Sequence, residues 1–73
     1  MAQTSVLCDI NGSVWKITVK EGESVSEDDT VAVVESMKME IPVLAPVSGT
    51  IGAILVAEGQ MVSEGAPLMS ISH

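Results

Sequence analysis

The 73 residues carry ten acidic side chains against three basic ones, for a formal net charge of −7 and a pI near 4.2. A chain this short buries only about 60% of its unfolded surface, which limits it to one domain spanning residues 1–73. The acidity excludes nucleic acid and an anionic membrane as partners, and the single cysteine, Cys8, excludes an internal disulfide and fits a reducing, cytoplasmic compartment.

Apolar residues make up 47% of the chain, mostly Val, Ile, Leu, Ala and Met, with Trp15 as the one aromatic. Small and β-branched side chains of this kind suit strands. From Met1 to Ile10 there is neither a basic region nor a long apolar one, so no signal peptide is expected. Ser5 to Ile10 is predicted as the first strand, with Cys8 a small strand or core residue. Next, Ile17 and Val19 alternate with Lys16 and Thr18, a strand period. Glu21-Gly22-Glu23 and Glu27-Asp28-Asp29 are predicted turns, with a short strand between them. Val31 to Glu35 and Met39 to Leu44 are predicted strands joined by a two-residue hairpin at Met37-Lys38. That register sets Ser36 opposite Met39 and Glu35 opposite Glu40. Pro42 removes a ladder donor and places its strand at a sheet edge.

After Pro46 the chain is expected to turn through Val47-Ser48-Gly49-Thr50. The uncharged run Ile41–Ala57 approaches a membrane span in length, but Pro42, Pro46, Ser48, Gly49 and Gly52 interrupt it. Ile54 and Val56 then form a strand, Glu58-Gly59-Gln60 and Glu64-Gly65-Ala66-Pro67 form turns, and Leu68 to Ser72 closes the chain.

These elements repeat at an offset of 37: residues 12–34 align with 49–71 without a gap, and eight of the 23 pairs are identical, among them Gly12/Gly49, Glu21/Glu58 and Gly22/Gly59. Glu35 to Ser48 lies outside the aligned copies. About eight short strands with no helical period predict an all-β fold, a small sandwich or flattened barrel with a pseudo-twofold axis.

No internal His, phosphate loop, metal-ligand cluster or Ser/His/Asp set is present, so no catalytic site is expected. Glu27-Asp28-Asp29 lacks the ligand spacing of a calcium loop, and no metal is assigned. Lys38 is the residue to weigh. Met-Lys is poor chemistry for a two-residue hairpin, which needs φ > 0. Holding a non-glycine residue left-handed costs about 1–2 kcal/mol. The Glu35/Glu40 like-charge pair and two methionines at an exposed tip add to the anomaly. Taken alone, an exposed lysine would be an edge-solubilising residue; in this setting it marks a surface presented to a partner.

Glu35-Ser36-Met37-Lys38-Met39 resembles the attachment motif of the biotinyl/lipoyl domain family, usually Glu-Ala-Met-Lys-Met, with Ser36 in place of alanine. The resemblance covers nearly the whole chain. Asn11-Gly12-Ser13 and Val47-Ser48-Gly49-Thr50 fall where the family has glycine-containing turns. It implies a barrel-sandwich hybrid of two four-stranded antiparallel sheets, the modified lysine lying on a tight hairpin. It further implies a biotin carboxyl carrier. Biotin protein ligase would join biotin to Lys38, which would then serve a biotin carboxylase and a carboxyltransferase. Glu35, Ser36, Met37, Met39 and Glu40 would act as recognition elements. The copies align without a gap, so the inserted thumb of some bacterial carriers is not expected, and the domain is expected to be monomeric in isolation. Met1 favours a whole small protein. Lipoate is the alternative cargo, although lipoyl domains usually carry Asp-Lys-Ala where this chain has methionines. An unmodified adaptor barrel is the alternative from another class.

Overall fold

The computed structural model describes residues 2–73, all outside helix and arranged as eight strands. They are β1 (Gln3–Leu7), β2 (Gly12–Ile17), β3 (Ser24–Val25), β4 (Thr30–Ser36), β5 (Met39–Leu44), β6 (Gly49–Ile54), β7 (Met61–Val62) and β8 (Pro67–Ser72). Two four-stranded antiparallel sheets form, one in the order β1-β8-β6-β3 and the other β5-β4-β2-β7. The expected fold class is therefore observed. Inward side chains of both sheets make one core of Val, Ile, Leu, Met, Ala and Cys8, with no buried polar or charged residue among the described residues. Cys8 is a core residue, its thiol donating to the Ile10 carbonyl at 2.9 Å.

The repeat is visible atom by atom. The offset of 37 carries β2, β3 and β4 onto β6, β7 and β8. Gly22 N donates to Ile51 O at 2.7 Å, and Gly59 N donates to Val14 O at 2.6 Å. Ile17 N donates to Glu58 Oε2 at 3.0 Å, while Ile54 N donates to Glu21 Oε2 at 2.9 Å. Each half thus lends the other a turn glutamate that caps an unpaired strand amide, which explains why Glu21/Glu58 is one of the identical pairs. Gly22 and Gly59 have φ of 89° and 88°, as their turns require.

Three expectations are corrected. The first strand runs Gln3–Leu7 instead of Ser5–Ile10, because Cys8 leaves the ladder to bond with Ala66 in the β7–β8 turn. The repeat does not stop at Glu35: β5 is the image of β1, both being edge strands with Val6/Val43 buried and Leu7/Leu44 exposed. The hairpin turn has no matching turn among the described residues. The operation carries it onto the paired chain ends, where His73 N donates to Ala2 O and Ala2 N to His73 O, each at 2.9 Å. Finally, Gly12 and Gly49 open strands and do not sit in turns. Their role is close approach: a Cβ on Gly12 would overlap the Glu35 carbonyl and lie 2.9 Å from Val34 Cγ1, and one on Gly49 would overlap the Ser72 carbonyl.

Pro42 sits on β5, an edge strand as expected, and Pro67 opens β8. Between β2 and β3 the chain turns directly through residues 18–23, with no inserted element.

Candidate functional site: the β4–β5 hairpin

Burial dictates the hairpin. Val31, Ala32 and Val34 of β4 are fully buried, and Val43 of β5 nearly so. The pairs Ala32↔Val43 and Val34↔Ile41 point inward, which puts Val33↔Pro42 and Glu35↔Glu40 on the outer face. A slip of one residue would drive the two glutamates into an apolar core. With Ser36↔Met39 as the last pair, two residues are left to close the turn. A two-residue loop must match the right-handed twist of its strands, and that requires positive φ. Met37 and Lys38 accordingly adopt φ of 51° and 64°, left-handed at both positions. The register imposes this conformation although neither residue favours it.

The predicted recognition residues all gather here. Met37 is 90% exposed and Met39 64%; Lys38, Glu35 and Glu40 are exposed, and Ser36 is partly so. Both methionines are therefore surface groups, not core filler. Lys38 is exposed at the tip of this two-residue turn.

Two further residues adjoin the hairpin and were not singled out from the sequence. Met61 of β7 is 75% exposed and lies opposite Ser13, which in turn lies opposite Glu35. Trp15 is the extra residue of the bulge between Val14 and Lys16 on β2; it is 49% exposed, its ring centroid 5.9 Å from Lys16 Nζ. A row Met61–Ser13–Glu35–Glu40 thus crosses the outer face of this sheet just below the tip. The signal that could have found these residues is the repeat itself, at positions where the two copies differ.

Fold and site together define a class: a small two-sheet β domain that presents one lysine on a strained two-residue hairpin. The family described as biotin-requiring enzyme matches residues 3–71, and the chain belongs to it. The chain is similar to the biotin/lipoyl attachment protein of Bacillus subtilis (strain 168), at 39% identity over 62 residues and 85% of either chain. It is 52% identical over 40 residues to the biotinylated protein TB7.3 homolog of Mycolicibacterium smegmatis, covering 55% of this chain and 56% of that one. Among solved structures it is similar to part of the Kluyveromyces lactis urea carboxylase, with a TM-score of 0.92 and 30% identity. That match covers 99% of this chain and only 6% of the carboxylase.

Proposed function

We propose that this domain is a biotin carboxyl carrier and that Lys38 is the attachment residue. The observation that carries the reading is the hairpin. A lysine is held at an exposed tip in a left-handed conformation between two exposed methionines, within a family of biotin-requiring enzymes. In loading, Lys38 Nζ attacks the acyl carbon of a biotinyl-adenylate held by a biotin protein ligase. The amide bond forms, the acyl–phosphate bond breaks, AMP leaves, and the amine gives up its proton to the medium. One cation is lost, taking the formal charge from −7 to −8.

Attached biotin supplies a ring that accepts and releases carboxylate; this chain contributes positioning alone. A lysine side chain adds about five single bonds of roughly 1.5 Å between the backbone and the cargo. The compact double sheet beneath keeps the tip rigid and lets the arm sweep. Held on such an arm near a biotin carboxylase and a carboxyltransferase, the ring is present at high effective concentration at both. The likeness to a segment of urea carboxylase supports partners of that kind, which supply the acid/base chemistry.

The test is incubation of the purified domain with biotin ligase, ATP and biotin, and in parallel with a lipoate ligase and lipoate. Biotin on Lys38 is the expected product. Exclusive lipoylation of Lys38 would replace biotin with the alternative cargo, and no modification of any kind would leave the adaptor barrel.

A further inference from the structure

The pseudo-twofold serves as an internal control. Positions related by it meet the same backbone demands, so a residue that the fold needs on one side is needed on the other. The core obeys this: Val6/Val43, Val14/Ile51, Val25/Val62, Val31/Leu68 and Val34/Ile71 are all buried apolar pairs. Exposed positions that break the symmetry are therefore the places to look for a role beyond folding, although Gly52 also has a local reason, since a Cβ there would lie 2.6 Å from Ser70 Oγ. The outer face of the β5-β4-β2-β7 sheet carries several such departures, among them Lys16, with the image Ala53, and four that set its chemistry as a surface. Glu35 and Glu40 have the images Ser72 and Gln3, and Met61 and Trp15 have the images Ser24 and Gly52. An acidic pair and two large apolar side chains thus occupy the face beside the lysine, where its image carries small or neutral residues.

We infer that this face, from Glu35/Glu40 across to Met61 and Trp15, is the docking surface for the enzyme that loads Lys38, and that the enzyme meets it with a basic and apolar surface. The inference rests on Lys38 being the acceptor. Charge selects the partner, because a face bearing two glutamates on a chain of net charge −7 repels a second copy and attracts a cationic surface. Reach selects the step. Before modification the reacting atom is only the lysine's own length from the backbone, so the loading enzyme must come down onto the hairpin and the sheet below it. After modification the ring stands much further out, and the carboxylase reaches it without covering the sheet. Trp15 and Met61 supply the kind of large, partly exposed apolar anchors that dominate binding interfaces.

The experiment replaces three residues by their images and Trp15 by a small strand-forming residue: Met61→Ser with Trp15→Thr, and separately Glu35→Ser with Glu40→Gln. Biotinylation is followed with purified ligase while the concentration of the domain is varied. Leu55→Thr, an exposed apolar residue of the other half changed to its image Thr18, is the control. The first pair should raise KM for the domain about tenfold with kcat changed less than twofold. The second should raise KM and flatten the salt dependence of kcat/KM, and Leu55→Thr should do neither. Circular dichroism melts of every variant separate lost docking from lost fold. With wild type labelled on Lys38, an unchanged KM in both folded pairs overturns the docking face and leaves the biotin reading intact. Normal loading combined with a lost carboxylation rate would assign the face to the carboxylase, also overturning the proposal. A wild-type domain that the ligase does not label at all refutes the biotin reading, and this inference with it.

Discussion

Replacing Lys38 by glycine should make the domain more stable. Lys38 sits at φ 64° in a two-residue turn whose flanking register leaves it no alternative. A non-glycine residue held there costs about 1–2 kcal/mol. Glycine removes that strain and gives back roughly 0.5–1 kcal/mol through the larger freedom of its unfolded chain. Lys38 is exposed, so truncation loses no packing. The net gain is about 0.5–1 kcal/mol, the difference between these two magnitudes. A domain of 60–100 residues shifts its Tm by roughly 4–8 °C per kcal/mol, so Lys38→Gly should melt about 2–8 °C higher. Thermal unfolding by circular dichroism on unmodified protein reads this directly, with Lys38→Ala as the comparison. Alanine keeps the left-handed cost and should melt near wild type. If Lys38→Gly melts at or below Lys38→Ala, the left-handed turn at Met37-Lys38 carries no strain.

Other consequences concern the same scaffold. Met37→Ala and Met39→Ala should shift the melting temperature by no more than a surface substitution does, about 0.5 kcal/mol in stability, while slowing biotin loading; a loss of several kcal/mol would show buried methionines. Gly12→Ala and Gly49→Ala should each destabilise by about 1–3 kcal/mol in denaturant unfolding, because the new methyl meets the Glu35 or Ser72 carbonyl. Similar losses at both sites would confirm that the pair is structural. Removing one of the exchanged turn glutamates, by Glu21→Ala or Glu58→Ala, should cost about 1 kcal/mol, the worth of one strand-amide hydrogen bond. The two losses should agree within error, and a large difference would break the claimed equivalence of the halves.

Much of this architecture is legible in the sequence, because local and global signals coincide. The offset of 37 is written in turn residues that need it, Gly22/Gly59 for φ and Glu21/Glu58 for amide capping. The hairpin register is legible too, since setting the apolar runs Val31–Val34 and Ile41–Leu44 opposite each other centres the turn on Met37-Lys38. The N-terminal strand is less legible. Its image relation to β5 rests on Val6/Val43 and Leu7/Leu44 among dissimilar neighbours, QTSVL against EIPVL, where Pro42 obscures the match. Gly12 and Gly49 read as turn residues because sequence does not show which carbonyl will press on a strand. The outer-face residues Trp15 and Met61 stay hidden for a related reason. A lone tryptophan in an apolar chain suggests core, and only the bulge at Val14/Lys16 shows it standing half in solvent.

Whether Lys38 carries biotin is read by intact-mass measurement with peptide mapping of protein taken from its native host, alongside Lys38→Arg made in the same cells. Wild type should carry one biotinyl group, localised to the peptide that contains Met37-Lys38-Met39. Lys38→Arg should carry none, because it keeps the positive charge and the fold but offers a guanidinium that is a poor nucleophile. A lipoyl group on Lys38, or a biotinylated Lys38→Arg protein, would contradict biotin attachment at Lys38.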